Sequence, residues 1–196
     1  MSPTNKLEIF FLYCSNSRGE DISFTEIVQQ KNILDGEDIE PSNFWGISGG
    51  VQILVNNYNT VFRSVNFHYL VKATNFLIHS LYWIKGIQND RFDSDDDYPN
   101  DVVVRTTSNE LLRLRSNSEK EVVLSFSHSE RNHIWQRGDR YFENIIINKD
   151  DWYNASKLAL SEYFEVLLRA VQSNPNDSTS KTMMGYYEGW RNIENG

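Results

Sequence analysis

The chain of 196 residues carries 27 acidic against 19 basic side chains, a net charge of −8, with 39% hydrophobic and 13% aromatic residues. That length suits one domain, and so many rings exclude a disordered or low-complexity chain. The acidic balance argues against a nucleic-acid partner, whose phosphates call for a basic face.

The first element in chain order is the apolar run over 6–14, KLEIFFLYC, which reads as a buried strand. Ser23 and Glu26 then form a Ser-x-x-Glu capping box, and Phe24, Ile27, Val28, Lys31 and Leu34 follow on helical spacing toward Gly36. Residues 35–50 read as a loop and 51–55 as a second strand, with 58–63 as its hairpin partner. Ser64 is placed to cap a long amphipathic helix over 64–86, with Phe67, Leu70, Thr74, Leu77, Leu81 and Ile84 on one face. Its other face carries His68, Lys72, Asn75, His79 and Tyr82, and Gly86 stands where a left-handed terminal residue is wanted.

An acidic segment, 89–101, precedes three strands expected at 102–107, 110–116 and 121–128, a meander joined by short turns. Leu112 and Leu114 alternate with Arg113 and Arg115, so one face of that strand is buried and one solvated. After a polar loop at 129–142, a strand at 143–148 leads into a helix over about 152–172, stopped by Pro175. Clustered strands flanked by helices predict an α+β fold: an antiparallel sheet of about five to six strands against two long helices and one short one. Residues 1–173 form the expected domain. Residues 174–196 are expected as a polar linker and an aromatic C-terminal tail, with Tyr186, Tyr187 and Trp190 able to dock back or to bind elsewhere.

Cys14 is the single cysteine, so no internal disulfide framework is expected. The opening residues lack a basic, then apolar, secretory pattern, and the apolar segment near 65–84 is too polar to span a bilayer. The expectation is a cytoplasmic protein with no membrane partner.

The motifs that suggest chemistry each lack a required part. His128-Ser-Glu130 resembles the start of a zinc deaminase motif, which needs two further thiolates that this chain does not have. His68 and His79 are about three helical turns apart, roughly 16 Å, too far to share a metal ion. Counting from Asp93 as the first position of a calcium loop, Tyr98 and Val104 stand where Gly and Glu are required. The glycines of Trp45-Gly46-Ile47-Ser48-Gly49-Gly50 precede a strand rather than open a helix, so they do not form a phosphate cradle. Arg137-Gly138-Asp139 is read as a chance triplet in a chain with no secretory address. No catalytic residue, metal or cofactor is expected.

The charge is uneven. Residues 1–60 hold 8 acids and 3 bases, and residues 89–101 hold 6 acids and 1 base. Aromatic residues stand close to both runs, an arrangement suited to steered protein–protein recognition. The expected contacts with a basic protein partner are Asp35, Glu37, Asp38, Trp45, Asp93, Asp95, Asp96, Asp97 and Tyr98. In size, acidity and lack of a catalytic motif the chain resembles the small immunity proteins that bacteria use against their own toxins. That likeness is of type, with no shared residue motif, and it implies an inhibitor of a toxin such as a nuclease. Two other readings stand beside it: a small-substrate enzyme using His68, His79 or His128, and an adaptor subunit that binds through its aromatic tail.

Overall fold

The computed structural model describes residues 6–15, 20–30, 49–55, 59–67, 70–88, 97–106, 110–128, 142–173, 176 and 178–194. The fold is α+β, built from two four-stranded antiparallel sheets and four helices among the described residues. Sheet 1 contains β1 (Leu7–Ser15), β2 (Glu20–Ser23), β3 (Gly49–Val55) and β4 (Asn59–Phe67), in the order β2-β1-β3-β4. Sheet 2 is a meander of β5 (Val102–Arg105), β6 (Glu110–Ser116), β7 (Glu121–His128) and β8 (Phe142–Asn148). The helices are α1 (Phe24–Gln29), α2 (Leu70–Ile84), α3 (Lys149–Ser173) and α4 (Ser178–Glu194).

Alternation fixes which face of each sheet is buried. In sheet 1, Ile9 lies opposite Ile53 and Phe11 opposite Val51, and all four are buried. In sheet 2, Val102, Leu114 and Leu124 stand in one row, with Val104, Leu112 and Phe126 in the next, and all six are buried. The arginines Arg105, Arg113 and Arg115 occupy the alternate positions. α2 packs on β3, β4 and β5, and α3 packs on β1 and β8, so the two helices join both sheets in one hydrophobic core.

Local signals explain the helix ends. Ser23 Oγ accepts from the Glu26 amide, and the Glu26 carboxylate accepts from the Ser23 amide at 2.9 Å, so the capping box closes. The Ser23 hydroxyl, donating to the Glu26 carboxylate at 2.7 Å, and then the Ser23 amide hold that carboxyl below its ordinary value. Gly86 has φ of +66°. Its amide donates to Trp83 O, and the Ile87 amide donates to Tyr82 O, both at 3.0 Å; this is the double closure of a Schellman turn.

Between the helices, Trp152 is fully buried. Its Nε1 donates to Ser80 Oγ at 2.8 Å, and Ser80 donates in turn to Leu77 O at 2.7 Å. On the sheet 1 side, Phe11, Phe24 and Tyr163 form a ring triad with centroids 5.0 to 6.1 Å apart. Thr25 Oγ1 donates to Glu162 at 2.7 Å, and burial pushes that carboxyl up. The sheet also approaches α2 closely at Gly49. A Cβ there would lie 2.6 Å from Leu12 O and 3.1 Å from Leu70 Cδ1.

Four details differ from the sequence expectation. The strands divide into two sheets of four rather than forming one sheet of five or six. The helix expected from Ser64 begins at Leu70: residues 64–67 continue β4, with Ser64 opposite Val51 and Phe67 opposite Gly49. Strand pairing satisfies those backbone groups through distant partners that helical spacing does not reveal. Tyr82, placed on the polar face, is buried, and its hydroxyl donates to Gly189 O at 2.8 Å. Residues 178–194 form a helix whose Met183, Trp190 and Ile193 are buried, so of the two roles weighed for the aromatic segment the fold uses docking. No helix among the described residues is long and apolar enough to cross a membrane.

Candidate functional site

The acidic segment 89–101 enters the described structure at Asp97, where it meets the arginine-bearing face of sheet 2. Asp97 to Asp101 form a turn closed by the Asp101 amide donating to Tyr98 O at 3.1 Å. Three elements hold this turn. From α2, Trp83 Nε1 donates to Asn100 O at 3.2 Å. From β5, Arg105 pairs with Asp97 at 3.3 Å. From β6, Arg113 donates to Asp101 at 2.5 Å and lies over the Tyr98 ring, 4.4 Å from its centroid. A guanidinium between a carboxylate and an aromatic face uses both its charge and its flat surface.

The alternation that buries Leu112 and Leu114 is what directs Arg113 outward onto the turn. Asp101 is mostly covered, with 12% of its side chain exposed, whereas Asp97 keeps 49%. The ion pair at Asp101 is therefore the better shielded of the two, and the one at Asp97 is the more screened by solvent.

Two of the nine expected contacts, Asp97 and Tyr98, are thus engaged by the chain's own Arg105 and Arg113. The other seven, Asp35, Glu37, Asp38, Trp45, Asp93, Asp95 and Asp96, lie outside the described residues. The anchoring arginines stand 8 and 15 positions beyond their partners on separate strands. The only advance signal of these contacts was an outward Arg alternating with buried Leu in a strand near an acidic run.

The polar face of α2 gathers a second set of polar side chains. Asn75 and His79 are half-buried one turn apart, Asn75 Oδ1 is buried with no hydrogen-bond partner, and burial pushes the His79 imidazole down from its ordinary value. The side chains of His68 and His128 lie outside the described residues. Cys14 is half-buried, and its thiol donates to Asp21 Oδ1 at 3.2 Å. Among the described residues no group of three or more His, Cys, Asp or Glu is gathered to hold a metal ion.

No family model matches this chain, and neither curated proteins nor solved structures yield a similar one.

Proposed function

We propose that this chain is a non-enzymatic binding protein that captures a basic protein partner in the cytoplasm, as an immunity-type inhibitor of a toxin such as a nuclease. The observation that carries the reading is the acidic segment 89–101, whose last residues are fixed to α2 by Trp83 and to sheet 2 by Arg105 and Arg113. Its six acids outnumber Arg91, Arg105 and Arg113 together by three, so the internal pairs leave the segment acidic. A charged segment with a fixed base loses less conformational entropy on binding than a free one, and its excess charge speeds encounter with a basic surface.

The test has two stages. The tagged chain is first used to capture partners from lysate of its source at low salt, followed by elution at high salt. The retained basic protein is then purified and its association rate measured against wild type and against a variant with Asp95, Asp96 and Asp97 each changed to Lys. The expected result is an association rate lowered at least about tenfold at low salt, with the difference shrinking as salt rises. An unchanged rate at low salt removes the segment as the contact surface.

A further inference from the structure

We infer that α4 is a separately opening unit, which undocks from α2 and α3 as a whole while the sheets and α1–α3 stay folded. Its seam is formed with two helices, α2 and α3. Tyr82 donates to Gly189 O at 2.8 Å, Lys85 Nζ donates to Ile193 O at 3.3 Å, and Trp190 stacks on Phe164 with centroids 5.2 Å apart. Tyr187 also meets the Phe164 ring edge-on at 5.5 Å, and Met183 and Ile193 are buried on the apolar side.

Two features of α4 favour opening. Trp190 is 4% exposed and its Nε1 has no hydrogen-bond partner, so docking leaves a buried donor unpaired and undocking returns it to water. α4 also carries Gly185 and Gly189 within its length, and each glycine weakens a helix relative to alanine.

α3 is held on more sides, although it too buries an unpaired polar atom, Ser156 Oγ. It packs on α1, α2, β1 and β8, and its Trp152, Leu160, Tyr163, Phe164 and Leu167 are all at 1% exposure or less. Releasing α3 dismantles the core, whereas releasing α4 uncovers one side of Phe164. Local openings of this kind are drawn from elements that pack on few neighbours.

Native-state amide hydrogen exchange on the full chain tests the inference. Amides of 186–190 are expected to exchange at least about thirtyfold faster than those of 160–167, after correction for intrinsic rates. The decisive variants are Gly185→Ala and Tyr82→Phe. A Cβ on Gly185 meets nothing within 4 Å, so G185A strengthens the helix without disturbing the seam and slows α4 exchange about fivefold, leaving α3 unchanged. Y82F removes the bond to Gly189 and speeds α4 exchange about fivefold, again leaving α3 unchanged. The inference is overturned if α4 and α3 exchange with equal protection, or if either variant moves both helices together.

Discussion

Replacing Ser80 by Ala deletes one oxygen from the seam between α2 and α3, and its cost is set by what that oxygen leaves behind. In the wild type the Ser80 hydroxyl accepts from Trp152 Nε1 at 2.8 Å and donates to Leu77 O at 2.7 Å. Trp152 is 0% exposed, so in S80A its indole N–H has no water to turn to. Stranding a buried donor costs about 1–3 kcal/mol, so S80A is expected to destabilise by about 2 kcal/mol. Trp152→Phe removes the donor and leaves a void of about 40 Å³; at about 24 cal/mol per Å³, with lost ring burial added, it is expected to cost about 2–3 kcal/mol. In the W152F background, S80A strands nothing and costs under about 0.7 kcal/mol. The cycle therefore carries a coupling of about 1–1.5 kcal/mol. Urea unfolding followed by circular dichroism and by fluorescence measures all four corners, with coincident transitions as the condition for comparing free energies. Additivity within about 0.3 kcal/mol would refute the claim that the indole–hydroxyl bond is what ties the helices at this point.

The remaining predictions concern pH and packing. Burial pushes the Tyr163 phenol up to about 12 from 10.0. The unfolded state therefore loses this proton first, and stability falls by about 1.4 kcal/mol per pH unit between pH 10 and 12. Comparing urea midpoints at pH 9 and 11, Tyr163→Phe should show a smaller loss than wild type; an equal loss would mean that the phenol is not held neutral. Burial lowers the His79 pKa below 6.5, so the unfolded state binds the proton more readily, and this contribution to stability is lost as pH falls through 6.5. His79→Gln should flatten the stability profile from pH 7 to 5, and a profile as steep as wild type would reassign that acid sensitivity to other groups. Gly49→Ala should destabilise by about 2 kcal/mol or more, because its Cβ would be driven to 2.6 Å from a backbone oxygen; a thermal midpoint within one degree of wild type would contradict that close approach.

The parts of the fold legible in the sequence are those set by near neighbours. Leu112 and Leu114 against Arg113 and Arg115 gave β6 and its buried face, and Ser23 with Glu26 gave the start of α1. Gly86 gave the end of α2. What escaped depends on partners far along the chain. Ser64 looks like a cap because a polar residue followed by Phe67, Leu70 and Thr74 fits a helix; pairing with β3 claims 64–67 for the sheet instead. The division into two sheets is likewise invisible to alternation, which tells a strand which side to bury but not which strand to join. α4 was obscured by its glycines and polar composition, although Met183, Trp190 and Ile193 carry a helical spacing that a docked amphipathic helix requires. At the candidate site, the charge of the acidic segment was plain, while its anchors Arg105 and Arg113 look like ordinary solvated strand residues until β5 and β6 are laid side by side.

The closing of sheet 1 by α3 has a consequence for the order in which the molecule assembles. Thr25 reaches Glu162 across 137 positions, and Phe11 and Phe24 meet Tyr163 over comparable separations. Sheet 2, by contrast, joins β6 to β7 through a turn of a few residues. Non-local pairings of this kind form slowly, since the loop entropy is spent before the contact repays it. During synthesis the strands carrying Ile9, Phe11, Val51 and Ile53 emerge well before the helix that shields them. A nascent chain stalled ahead of residue 149 therefore presents that apolar surface to other chains and to chaperones, and refolding at high protein concentration sets aggregation through sheet 1 against the docking of α3.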